Sequence, residues 1–87
     1  ISSKILLKKV DQIIKDSGYR VVNIDATVIA QKPKLAGYIK KMERVVADVL
    51  NIETSRVNIK ATTTERLGFV GREEGIAAEA IVMVDKI

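Results

Sequence analysis

The sequence predicts an α+β protein, a two-layer sandwich with helices on one face of a small mixed β-sheet. Three observations carry that expectation. Apolar residues recur at helical spacing near 5–14 and 39–50, they alternate with a period of two across 19–29 and 57–61, and the stretch 76–84 is apolar on both of its alternate faces.

Ser2 or Ser3 can cap a first helix whose apolar face is expected to be Ile5, Leu6, Val10, Ile13 and Ile14, with Lys4, Lys8, Lys9, Asp11, Gln12 and Lys15 on the opposite side. Gly18 stops it. From Tyr19 a long strand is expected, with Val22, Ile24, Ala26 and Val28 on one face and Val21, Asn23, Asp25, Thr27 and Ile29 on the other. Pro33 breaks that strand, because it lacks an amide donor and biases Lys32 towards extended geometry. A second helix is expected from about Leu35 to Leu50, with Ile39, Met42, Val46, Val49 and Leu50 on one stripe and Asn51 as its end. Val57, Ile59 and Ala61 then alternate with Asn58, Lys60 and Thr62 as a second strand, and Ile76–Val84 forms the third. Two helices cover one face of three strands. In the last strand, however, Ala78, Ala80, Val82 and Val84 oppose Ala77, Ile81 and Met83, so the second face calls for a cover supplied by an oligomer.

With 87 residues the chain is one domain at most, and a domain of that size buries only about 60–65% of its unfolded surface. It has neither cysteine nor histidine, which excludes disulfides, thiolate nucleophiles and imidazole catalysis from these residues, along with most zinc and copper sites. No apolar run approaches the roughly 18 residues of a membrane span, so a soluble interior protein is expected. The net charge of +4 is spread among acids, and Tyr19, Tyr38 and Phe69 are the only aromatics, a weak signal for nucleic acid. The opening Ile1 and Ser2-Ser3-Lys4 have no signal-peptide character and suit a start in mid-protein.

Between the last two strands lies KATTTERLGFVGREEG, residues 60–75, far longer than a chain reversal needs. Thr62-Thr63-Thr64-Glu65 has the spacing of a helix capping box. Its functional reading is that hydroxyls and freed amides at a strand end bind phosphate oxygens, while Glu65 offers a hard oxygen ligand to Mg²⁺ or Mn²⁺ already held by those phosphates. Ala30-Gln31-Lys32-Pro33-Lys34-Leu35 reads either as a solvated turn or as a rigid loop whose main chain meets the edge of a base. Gly68–Gly75 reads as an extended turn into the third strand, with Arg72 either paired to Glu74 or directed at an anion. No Walker-A or dinucleotide glycine pattern is present.

VNIDATVIAQKPKL (22–35) and VNIKATTTERLGFVGREEGIAAEA (57–80) resemble the 2-C-methyl-D-erythritol 2,4-cyclodiphosphate synthase family, a resemblance that runs over nearly the whole chain but only about the C-terminal half of a family subunit. It implies a homotrimer with sheets packed around an axis, a bacterial cytoplasmic or plastid enzyme of isoprenoid biosynthesis, and a cytidine-diphosphate-linked substrate. Ala30, Gln31, Lys32, Pro33, Lys34, Leu35 and Ala36 would line the cytidine pocket, and Thr62, Thr63, Thr64 and Glu65 would meet the diphosphate. Thr63 would stabilise the transition state, Glu65 would hold Mg²⁺ or Mn²⁺, and Phe69 and Arg72 would complete the nucleotide site or the axial cavity. The family's zinc ligands, an Asp-x-His pair and a further histidine, have no counterpart in this chain and would belong to the N-terminal part. The rival readings from other classes are a non-catalytic oligomeric ligand-binding module and, behind it, a nucleic-acid-binding module.

Overall fold

The hydroxyl of Ser2 accepts the amide of Lys4 at 3.2 Å and starts α1, Ser3–Asp16. Gly18, at φ 89°, turns the chain into β1, Tyr19–Ile29. This computed structural model describes residues 2–31 and 35–87; Lys32, Pro33 and Lys34, expected to line a nucleotide pocket, lie outside the described residues. A 3-10 turn at Ala36–Tyr38 leads into α2, Ile39–Leu50, which ends as expected at Asn51 in the left-handed region (φ 55°). After a 3-10 turn at Thr54–Arg56 come β2, Val57–Thr62, the short helix α3, Gly68–Gly71, and β3, Ala77–Lys86.

The strands lie in the order β2-β1-β3. β1 pairs parallel with β2, Ile24 opposite Val57 through Ile29 opposite Thr62, and antiparallel with β3, Tyr19 opposite Lys86 through Ile29 opposite Ala77. The sheet is therefore mixed, as expected. The core sits between β2, β1 and α2: Ala47, Val57 and Ile59 are buried and are packed by Ala26, Val28, Ile39, Met42, Val46 and Ile52. Among the described residues no helix is long and apolar enough to cross a membrane.

Two expected faces are corrected. In α1 the side turned inward carries Leu7, Asp11 and Ile14, at spacings of four and three, while Ile5, Leu6, Val10 and Ile13 are exposed. The physical reason is that Lys15 bonds the Asp11 carboxylate at 2.9 Å, which lets a carboxylate 5% exposed keep its charge partnered while its helix lies on β1 and α2. In β1 the register shifts between Val21 and Asn23, so Val22 occupies a bulge and Val21 joins Ile24, Ala26 and Val28 on the helix side. Val21 is buried as a result. On the far face Asp25 accepts from Lys60 and, at 3.2 Å, from Asn58. The Lys60 hydrogen bond, which outweighs partial desolvation, with help from Asn58, holds the Asp25 carboxyl below its ordinary value of 3.8.

β2 is an edge strand, and its outward amide at Ile59 donates to the Glu43 carboxylate of α2 at 2.9 Å, where Glu43 is 7% exposed. That contact clips α2 to the sheet and satisfies a buried donor. Glu43→Ala leaves the Ile59 amide without its partner and is expected to destabilise the fold by about 1–3 kcal/mol, read as a lower urea midpoint at an unchanged slope, whereas Glu43→Gln, which keeps an acceptor oxygen, should lose less.

Candidate functional site

Because β1 and β2 are parallel and in register to their last pair, both release the chain at one rim of the sheet. Open sheets bind ligands just beyond the carboxyl ends of such strands. The ladder is closed there by the amide of Ala30, which donates to the Thr62 carbonyl at 3.0 Å. Past this rung the two loops diverge around a hollow of about 240 Å³ lined by Ala30, Gln31, Leu35, Ala36, Ala61, Thr62 and Thr63. Ala30 is buried, Gln31 and Leu35 are half-buried, and Ala36, Thr62 and Thr63 are exposed. A larger groove of about 390 Å³ lies along α2, lined by Tyr38, Lys41, Met42, Val45, Val46 and Ile59, but it presents little beyond aliphatic wall with which to orient a polar ligand.

The threonine run does not cap a helix. The Thr63 hydroxyl accepts the amide of Glu65 at 3.3 Å, and Thr64 and Leu67 close a turn in which the Leu67 amide donates to the Thr64 carbonyl at 3.0 Å. Both central residues of that turn have positive φ, Glu65 at 53° and Arg66 at 66°, the signature of a primed turn that glycine and asparagine ordinarily occupy. The capping-box expectation fails because Arg66 in the left-handed region cannot continue a right-handed helix; α3 starts three residues after Glu65 with Leu67 as its uncapped N-terminal neighbour.

This geometry separates the three hydroxyls. Thr64 Oγ1 donates to the Leu67 carbonyl at 2.5 Å and so works inside the turn. Thr62 Oγ1 donates to the Thr63 carbonyl at 3.4 Å. Among the described residues Thr63 Oγ1 is engaged as an acceptor, and Thr63 lines the hollow. Glu65 is exposed. Thr64, Glu65, Phe69 and Arg72 do not line the hollow: Thr64 and Glu65 lie in the turn beyond it, the Phe69 ring lies where a Cβ on Gly75 would approach it to 3.2 Å, and Arg72 Nε bonds Glu74 Oε1 at 2.7 Å.

Two participants at the rim escaped the sequence reading. The amide of Arg66 donates to Gln31 Oε1 at 3.3 Å, joining loops 35 residues apart, and the bare Cα of Gly71 packs on the Arg66 backbone, where a Cβ would fall 2.0 Å from the Arg66 carbonyl carbon. Nothing in the spacing of either residue signals these contacts. Only the close approach of the Gly71 backbone, expected of a glycine in a loop, belongs to a recognisable type.

Zinc does not fit these residues: the chain has no histidine or cysteine, and the described residues hold no group of three or more metal-binding side chains. Glu65 meets a different demand, since Mg²⁺ keeps several waters and binds through one or two carboxylates plus substrate phosphates.

A mixed sheet whose two parallel strands end at one rim beside a small hollow and a threonine-containing turn defines an α+β domain. The chain belongs to the YgbB family, whose sequence profile matches residues 1–85. It is 55% identical over 84 residues to the 2-C-methyl-D-erythritol 2,4-cyclodiphosphate synthase of Geobacillus sp. (strain WCH70), a match covering 97% of this chain and 53% of that protein. Among solved structures, the bifunctional IspDF of Campylobacter jejuni superposes with a TM-score of 0.96 at 39% identity, covering 100% of this chain and 24% of that one. The Plasmodium falciparum IspF complex with CDP gives 0.89 at 32% identity, covering 98% of this chain and 55% of that one. The chain thus spans about half the length of the curated relatives it matches.

Gly71→Ala is expected to destabilise the domain by about 1–3 kcal/mol through overpacking against the Arg66 peptide. In amide NMR spectra the displaced signals should be those of residues 64–72, with α1 and the N-terminal half of β1 unchanged; an unperturbed turn would show that the close approach is not needed.

Proposed function

We propose that this chain is the C-terminal part of a 2-C-methyl-D-erythritol 2,4-cyclodiphosphate synthase subunit, a phosphorus-oxygen lyase of isoprenoid biosynthesis, cytoplasmic in location, and that it supplies the cytidine and diphosphate half of the site. The observation that carries this reading is the junction at Ala30 and Thr62, which sets a small hollow and a hydroxyl-carboxylate turn side by side within a family whose members bear that name. The complex of the Plasmodium falciparum relative with CDP supports the nucleotide assignment.

In this reading the substrate is 4-diphosphocytidyl-2-C-methyl-D-erythritol 2-phosphate. An oxygen of its 2-phosphate attacks the β-phosphorus, the bond from that phosphorus to the bridging oxygen breaks, and CMP leaves with the electron pair as the cyclic diphosphate closes. The segment from Ala30 to Ala36 holds the cytidine, with the hollow between Ala30, Leu35 and Thr62 beside it. Thr63 donates its hydroxyl proton to the oxygen on which charge grows, Thr62 meets a neighbouring phosphate oxygen once its hydroxyl turns from the long bond to the Thr63 carbonyl, Thr64 keeps its hydroxyl in the turn and meets the diphosphate with its main chain, and Glu65 would hold the divalent ion. Glu65 would offer the protein's carboxylate to Mg²⁺ or Mn²⁺, and the ion would supply charge neutralisation for the diphosphate. Phe69 and Arg72, which do not line the hollow, would complete the nucleotide site from outside it or the axial cavity. The zinc ligands belong to the remaining half of the subunit, so these 87 residues alone release no CMP.

A homotrimer is part of the proposal. Ile81 and Met83 stand 78% and 57% exposed on the sheet face away from the helices, and packing three sheets together would cover them. Sedimentation of the complete subunit at micromolar concentration is expected to give a trimer, and a monodisperse monomer would sink this arrangement.

In the complete subunit, Thr63→Val and Glu65→Gln are each expected to lower CMP release by about 10²-fold or more with little change in stability, since each removes a group used on phosphate charge and none used in the core. Glu65→Gln should in addition remove the Mg²⁺ dependence of CDP binding measured by calorimetry. Full turnover in either variant takes that residue out of the mechanism.

A further inference from the structure

We propose that Gln31 has a positioning role beyond its place in the cytidine loop: through the amide of Arg66 its side-chain oxygen sets the direction of Glu65. The proposal deepens the reading of Glu65 given above and rests on it.

The Glu65-Arg66 turn is held against its own preference. A residue other than glycine is disfavoured in the left-handed region, and here two stand in succession at φ 53° and 66°. Such a turn persists only where its surroundings hold it. The bond between Leu67 and Thr64, the Thr64 hydroxyl on the Leu67 carbonyl, and the bare Cα of Gly71 all belong to the segment 64–71 and move with it. Gln31 differs in kind, because it reaches the turn from the other loop. Its own backbone follows Ala30, which is buried and locked to Thr62 by the last rung of the ladder, so the Gln31 carbonyl starts from a fixed point.

What that carbonyl grips is informative. The N–H of Arg66 is part of the rigid peptide plane that joins Glu65 to Arg66. Fixing the direction of that N–H fixes the plane, and with it the frame from which the Glu65 carboxylate projects. The Gln31 amide oxygen is an acceptor and the Arg66 N–H its donor, at 3.3 Å. Gln31 therefore links the loop read as holding cytidine to the turn read as holding phosphate and metal, so that occupation of one aligns the other.

The test uses the complete subunit with two variants of nearly equal length. Gln31→Met removes the acceptor, and Gln31→Glu retains an acceptor oxygen at the same reach. Losing one neutral hydrogen bond is worth about tenfold, so in Gln31→Met the Arg66 amide should exchange about tenfold faster by NMR and kcat for CMP release should fall by about tenfold, with KM changed less than about threefold. In Gln31→Glu the Arg66 amide should stay protected. Unchanged Arg66 exchange in Gln31→Met, equally fast exchange in both variants, or an unaltered kcat in Gln31→Met would each overturn the proposal; a defect confined to KM would mark Gln31 as a substrate contact instead. If the wild-type subunit releases no CMP, the functional reading fails, and the exchange measurement still decides whether Gln31 holds the turn.

Discussion

Everything at the rim depends on the parallel pairing of β1 with β2. The crossover through α2 returns the chain in the same direction, so the last residues of both strands, Ile29 and Thr62, stand opposite one another and both loops leave on the same side. Had the strands been antiparallel, Ala30 and Thr62 would lie at opposite ends of the sheet and the hollow between them would not exist. The core serves this pairing. Ala47, with no exposed surface, lets α2 approach Val57 and Ile59 closely, and Glu43 fastens the same helix to the free edge of β2 through the Ile59 amide. An error in the seating of α2 would therefore be felt at the opposite end of β2, in the direction taken by the threonines.

The second constraint is local and works against intrinsic preference. Glu65 and Arg66 occupy a backbone region that favours glycine, and Gly71 is the residue whose missing Cβ admits the Arg66 peptide. Strained backbone of this kind survives where the surroundings over-determine it, and it recurs at sites that hold ligands. In this chain the strain has a visible result. It brings Glu65 out of the line a helix would have imposed and puts its amide on the Thr63 hydroxyl, while the Thr64 hydroxyl is consumed in closing the turn.

A third feature is the amount of apolar surface left open. Ile5, Leu6, Val10 and Ile13 on α1, and Ile81 and Met83 on β3, lie on different sides of the domain. Among the described residues no large side chain is fully buried. An 87-residue chain has too little interior to enclose three strands and two long helices, and the exposed stripes are where further protein would pack. The two stripes face different ways, so a single partner surface would not cover both.

The sequence by itself determined the two long helices, the three strands and their order, because these follow from local terms: period two against period 3.6, Ser2 as a cap, Gly18 and Asn51 as stops; the short helix Gly68–Gly71, read as an extended turn, was missed. It also marked both loops of the site, since threonine runs, glycines and proline announce themselves within a few residues. Only the tertiary structure decided which way those elements face. The apolar stripe of α1 pointed the sequence reading inward, yet Asp11 is inside, because Lys15 one turn away partners its charge and the neighbours of α1 are β1 and α2. The bulge at Val22, the grip of Glu43 on Ile59, the bond from Gln31 to Arg66 and the contact of Gly71 with Arg66 were likewise invisible beforehand. Each depends on the position of a backbone group or neighbouring element relative to its partner, and periodicity carries no information about that distance.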